Sequence, residues 1–83
     1  MSLFELNGKY AFKSEKARKA FSLGSDVNFD LSEQLKNKVF EISYISEEDE
    51  ILQIKDAETG ECIPCTHARY LLDDEDFEYF EKI

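Results

Sequence analysis

The sequence predicts a small α+β domain, mainly antiparallel, with one short helix near residues 15–23. Three observations carry this. Apolar and polar residues alternate in several short runs, the signature of half-buried strands. A single stretch, from Ser14 to Gly24, combines helical spacing with a capping residue at its start. The 83 residues, 42 % apolar with 7 Phe and 4 Tyr, suffice for one core but not for two.

In chain order, a first strand is expected near residues 8–13. The helix follows: Ser14 caps it, Glu15 sits at its positive end, and Gly24 offers a left-handed stop. Ala17, Ala20, Phe21 and Gly24 share one face, with Lys16, Arg18 and Lys19 outside it. Val27, Phe29 and Leu31 alternate as a further strand would, although residues 30–36 also accommodate a helical turn. A three-strand meander is expected at residues 39–45, 51–56 and 61–65. Phe40, Ile42 and Tyr44 face inward in its first strand, Leu52 and Ile54 in its second. Residues 57–60 form the turn before the third, with Gly60 taking a positive φ. Pro64 cannot donate to a ladder, so that strand lies at an edge or ends there. Phe77, Tyr79, Glu81 and Ile83 alternate as a final strand; a helix pairing Phe77 with Phe80 after an Asp73 cap is the alternative. The expected core is Phe12, Phe21, Phe40, Ile42, Leu52, Ile54 and Ile63.

Charge divides the chain. Residues 1–46 carry 7 bases and 6 acids, residues 47–83 carry 3 bases and 13 acids, and the total is −9. Such a balance opposes a whole-molecule grip on nucleic acid or anionic lipid. No apolar run reaches membrane-spanning length, and the opening residues do not read as a signal peptide. Two cysteines are too few for a disulfide framework, so a reduced, cytoplasmic protein is expected. No repeat or linker divides the chain, and residues 1–83 are expected to form a single domain.

The order of strand, helix-bearing connection, three-strand meander, short turn and final strand resembles the SH3-type small β-barrel, in which the last strand returns beside the first. Gly60-Glu61-Cys62-Ile63-Pro64-Cys65 leading to Tyr70-Leu71 is similar to the SH3 succession of distal turn, strand, proline, helical turn and tyrosine. The fold implied is an SH3-like barrel or a curved sheet. Pro64 and Tyr70 correspond to peptide-groove positions of that family, but the tryptophan that stacks on polyproline ligands has no counterpart here.

Several clusters qualify as chemistry. Cys62 and Cys65 with His67 form Cys-x2-Cys-x-His, three of the four ligands that a zinc site needs. The same cysteines resemble a thiol–disulfide motif but lack a surrounding βαβ unit. The simpler expectation is one small core residue and one outward thiol, with no metal and no cofactor. Glu47, Glu48, Asp49 and Glu50, and Asp73, Asp74, Glu75 and Asp76, form two acidic runs. Neither shows the Asp/Asn alternation around glycine of a calcium loop. The single histidine has no companions for nucleophilic catalysis, and 3 glycines make no phosphate loop. The chain is therefore expected not to be an enzyme.

What remains is an acidic interaction module: the two runs, with Tyr70, against a basic surface of a partner protein. Tyr10, Tyr44 and Tyr79 are further candidate anchors. An inhibitor or modulator fits this reading, and DNA mimicry is its special case, since duplex DNA presents charges in closely spaced rows. The compact, highly charged style resembles small acidic accessory proteins of tailed phages. The alternatives are a metal-linked domain built on Cys62, Cys65 and His67, or local nucleic-acid binding through Lys13, Lys16, Arg18 and Lys19.

Overall fold

A computed structural model of the chain describes residues 3–63 and 71–83. Four antiparallel strands, β1 (Lys9–Phe12), β2 (Phe40–Ile45), β3 (Ile51–Asp56) and β4 (Phe80–Lys82), form an open sheet in the order β3-β2-β1-β4. Two helices, α1 (Glu15–Ser22) and α2 (Asp26–Leu35), occupy the connection from β1 to β2. A 3-10 helix (Asp74–Tyr79) leads directly into β4, which returns beside β1 with Phe12 opposite Phe80. The C-terminal segment thus divides between the two alternatives of the sequence. Asp73 caps a helical turn, and the strand begins only at Phe80.

The first helix forms for the expected reasons. Ser14 Oγ accepts from the Ala17 N–H at 3.1 Å, and Lys19 sits in the last turn, favourable to the helix dipole. Two details differ. Phe21 is the only buried residue of α1, whereas Ala20 is exposed, so the inward face is narrower than the sequence suggested. Gly24 does not adopt the left-handed conformation; a Cβ there would lie 2.7 Å from Asn28 Nδ2, the end of a flexible side chain that can move aside.

Residues 26–35 are helical, and the strand expected at Val27, Phe29 and Leu31 does not form. Ser25 caps α2 through Oγ, which accepts from the Asn28 N–H at 3.1 Å, and Asp26 occupies the first turn. Its buried residues are Leu31, Ser32 and Leu35, a helical rather than alternating spacing, and Phe29 faces solvent. The buried Ser32 hydroxyl donates to the Phe29 carbonyl at 2.7 Å.

The β2–β3 hairpin corrects the register. Phe40 faces Asp56 and Ile42 faces Ile54, but then the pairing shifts: Tyr44 faces Gln53 and Ile45 faces Ile51. Ser43 in β2 and Leu52 in β3 are the extra residues. These two irregularities turn Ile51 fully inward and bring Ile45 against the core. Tyr44 and Leu52, both expected inside, are left outside with 55 % and 39 % of their surface exposed. Glu41 and Lys55, opposite one another, form a cross-strand ion pair at 3.2 Å.

Beyond β3, Gly60 takes φ +78° as expected, and its N–H donates to the Asp56 carbonyl at 2.7 Å. Cys62 bridges to Lys55, and the Ile63 N–H donates to the Ile54 carbonyl; Ile63 is half-buried against the core. The third meander strand expected at residues 61–65 is therefore reduced, among the described residues, to an isolated bridge at Cys62; Pro64 and Cys65 lie outside them.

The core is largely aromatic. Phe80 stacks on Phe12 at 4.5 Å between ring centres and meets Phe21 and Phe40 edge-on at 5.5 and 5.4 Å. Phe4 adds edge contacts to Tyr10 and Phe77. Among the expected core residues Phe12, Phe21, Phe40, Ile42 and Ile54 are buried. Among the described residues no helix is long and apolar enough to cross a membrane.

Candidate interaction surface

The two acidic runs lie 22 residues apart in sequence, yet they border the same cleft. The bond between Ile51 and Leu72 is responsible. The Ile51 N–H donates to the Leu72 carbonyl, and the Leu71 N–H donates to the Ile51 carbonyl, both at 2.8 Å. Glu50 immediately precedes one bridged residue and Asp73 immediately follows the other, so both runs are pinned at their roots. Leu71 and Leu72 are buried, which anchors this attachment in the core. An open cleft of about 250 Å³ results, lined by Glu48, Asp49, Glu50, Asp73, Asp74 and Glu75.

Each run is shaped by its own backbone bonds. Ser46 Oγ accepts from the N–H groups of Glu48 and Glu50 at 3.2 and 3.1 Å, and the Ser46 N–H donates to the Glu50 carbonyl at 2.8 Å. Asp49 occupies the left-handed region at φ +63°, which aspartate tolerates better than most side chains. In the second run, Asp73 accepts from the Glu75 N–H at 3.0 Å while Asp76 Oδ2 accepts from the Asp73 N–H at 3.1 Å, a reciprocal cap. Asp74 Oδ1 also accepts from the Leu3 N–H at 2.9 Å, tying the N-terminal segment to this helix.

Asp76 differs from its neighbours. Burial pushes its carboxyl up to about 6, and the charges of Asp73 and Glu75 add to that, while the hydrogen bond from the Asp73 backbone opposes it. It serves the cap rather than the cleft, since the cleft is lined by Asp73, Asp74 and Glu75.

A second groove, of about 440 Å³, adjoins the first. Tyr44, Ser46, Glu47, Glu48, Glu50 and Leu52 line it, so Glu48 and Glu50 border both. Sequence reasoning missed Leu52 as a surface residue because strict alternation placed it in the core. Among the other tyrosines, Tyr10 is buried, with its hydroxyl accepting from the Glu5 N–H at 2.8 Å, and Tyr79 is half-buried. Tyr70 lies outside the described residues.

The competing constellations gain less. Cys62 is exposed and its sulfur accepts from Gln53 Nε2 at 2.9 Å; Cys65 and His67 lie outside the described residues. Among the described residues no group of three or more His, Cys, Asp or Glu side chains is arranged to hold a metal ion. In the basic stretch, Arg18 is engaged by Glu15 and, at 3.7 Å, by Glu33 of α2. Its hydrogen bond to Glu15 is the main cause of the lowered Glu15 and raised Arg18 pKa values. Two carboxylates thereby reduce the local field that nucleic-acid binding through Lys13, Lys16, Arg18 and Lys19 would need.

No family model matches the chain, and no curated protein or solved structure is significantly similar to it.

Proposed function

We propose that this chain is a non-enzymatic interaction module whose acidic cleft docks against a basic surface of a partner protein. One observation carries the reading: Glu48, Asp49 and Glu50 of the hairpin and Asp73, Asp74 and Glu75 of the second run line one cleft. Converging carboxylates create a negative field that accelerates encounter with a basic patch and repels acidic competitors. The shape of both runs is fixed by Ser46 and by the reciprocal Asp73–Asp76 cap, so little ordering entropy is lost on association. An SH3-like architecture belongs to the same proposal. It is supported by the return of β4 beside β1 and by the 3-10 helix immediately before it.

Affinity capture tests the function. The wild-type chain and a variant with Glu47, Glu48, Asp49 and Glu50 neutralised serve as parallel baits at low salt. The proposal expects a protein with a basic surface on the wild-type bait, eluted by moderate salt and missing from the variant. Competition by duplex DNA for that partner identifies the DNA-mimic case. Equal recovery on both baits overturns the proposal.

A further inference from the structure

The groove beside the cleft has a composition that the acidic runs alone do not explain. Paired register shifts at Ser43 and Leu52 direct an aromatic ring and a branched aliphatic side chain outward, next to the carboxylates of the hairpin tip. Bulges of this kind re-aim side chains and occur preferentially near binding sites. In an ordinary hairpin Tyr44 would follow Phe40 and Ile42 into the core.

We propose that the groove lined by Tyr44 and Leu52 together with Glu47 and Glu50 receives an arginine side chain of the partner. This deepens the docking function proposed above and rests on it. Chemistry selects the occupant. A neutral apolar side chain would desolvate the carboxylates of the groove without compensation. Phosphate and carboxylate ligands would be repelled by them. A side chain with an apolar stem and a cationic head satisfies both parts of the groove: the stem covers Leu52 and the head reaches Glu47 and Glu50. Arginine fits better than lysine because its planar guanidinium stacks on an aromatic face, is weakly hydrated and pairs with carboxylates through two parallel bonds. The cleft would then supply long-range attraction, and the groove would supply selectivity.

The test is an NMR titration of the isotope-labelled full chain at about 10 mM ionic strength. The probes are acetyl-Gly-Arg-Gly-amide, its lysine counterpart and its norleucine counterpart. The arginine peptide is expected to shift the backbone amides of Tyr44, Leu52, Glu47 and Glu50, and to bind more tightly than the lysine peptide. The norleucine peptide is expected to leave them unmoved. Tyr44→Ala, at an exposed position, should weaken arginine binding by about two- to fivefold, the range for an exposed cation–π contact, while Tyr44→Phe retains it. If arginine and lysine bind alike and shift residues 73–76 but neither Tyr44 nor Leu52, the groove proposal is overturned and the acidic-cleft function stands. Equal binding of norleucine also overturns it. Absence of any shift from both cationic peptides overturns it as well; the cleft function falls with it only if the neutralised bait recovers the same partner as wild type.

Discussion

Ile51 and Leu72 are joined by an antiparallel bridge, with the Ile51 N–H donating to the Leu72 carbonyl at 2.8 Å. Neither residue reaches solvent, yet this bridge determines the character of the surface above it. Glu50 and Asp73 flank the bridged pair, so a core attachment becomes the convergence of two acidic runs. Changes at this buried point should therefore be felt at the cleft as well as in stability.

The shifted hairpin makes a sharp contrast between neighbours. Phe40→Ala is expected to cost about 3–5 kcal/mol and Ile54→Ala about 2–5 kcal/mol, because both side chains are fully buried. Leu52→Ala, two residues from Ile54 but 39 % exposed, is expected to cost less, about 1 kcal/mol. Urea denaturation of the three variants measures this. A Leu52→Ala cost comparable to that of Ile54→Ala would restore simple alternation and remove the groove.

The helix that replaces an expected strand depends on its cap. Ser25→Ala should remove the bond to the Asn28 N–H and cost about 1 kcal/mol, within a range of about 0.5–2. Ser25→Asp should preserve stability, since aspartate caps equally well. If residues 26–35 were a strand, the two substitutions would be indistinguishable by thermal denaturation.

These cases show what the sequence conveys. The cap at Ser14 and the turn at Gly60 are local, and both were legible. Ser25 followed by Asp26 was an equally local signal, but Val27, Phe29 and Leu31 satisfy a two-residue period by coincidence, and that period masked the spacing of Leu31 and Leu35. The paired bulges were not legible, because Phe40, Ile42 and Tyr44 alternate without fault. Only the demand of Ile51 and Ile45 for the interior forces the shift. Each acidic run was evident by composition; their meeting was not, since it depends on a bridge between residues 21 positions apart.

Asp76 gives a pH dependence with a definite sign. Its folded pKa of about 6 lies above the value of about 3.9 for an unfolded aspartate, so between those values the folded chain holds a proton that the unfolded chain has lost. Its contribution therefore becomes more favourable as pH falls from 7.5 toward 4. Asp76→Asn keeps an acceptor for the Asp73 N–H and removes the buried charge. The variant is expected to be at least as stable as wild type at pH 7.5, and wild type should gain relative to it by pH 5. Denaturation at both values measures the difference; a difference independent of pH would contradict the assignment.

Metal dependence is expected to be absent. The purified chain should contain well under one zinc per molecule, and a chelator should leave its Tm unchanged. One zinc per chain by elemental analysis, lost in Cys65→Ser, would instead promote the Cys62, Cys65 and His67 cluster to a structural centre.

The acidic face is tested most directly by the rate at which the chain associates with its captured partner, followed by stopped flow at two ionic strengths. From about 10 mM to about 150 mM the screening length contracts from roughly 30 Å to roughly 8 Å. Electrostatic docking requires the wild-type rate to fall by about tenfold or more over that range. It also requires the variants neutralised at Glu47, Glu48, Asp49 and Glu50, or carrying Asp73→Asn, Asp74→Asn and Glu75→Gln with Asp76 untouched, to associate slowly even at low salt while remaining folded. A partner whose association rate is indifferent both to salt and to these substitutions would contradict the account.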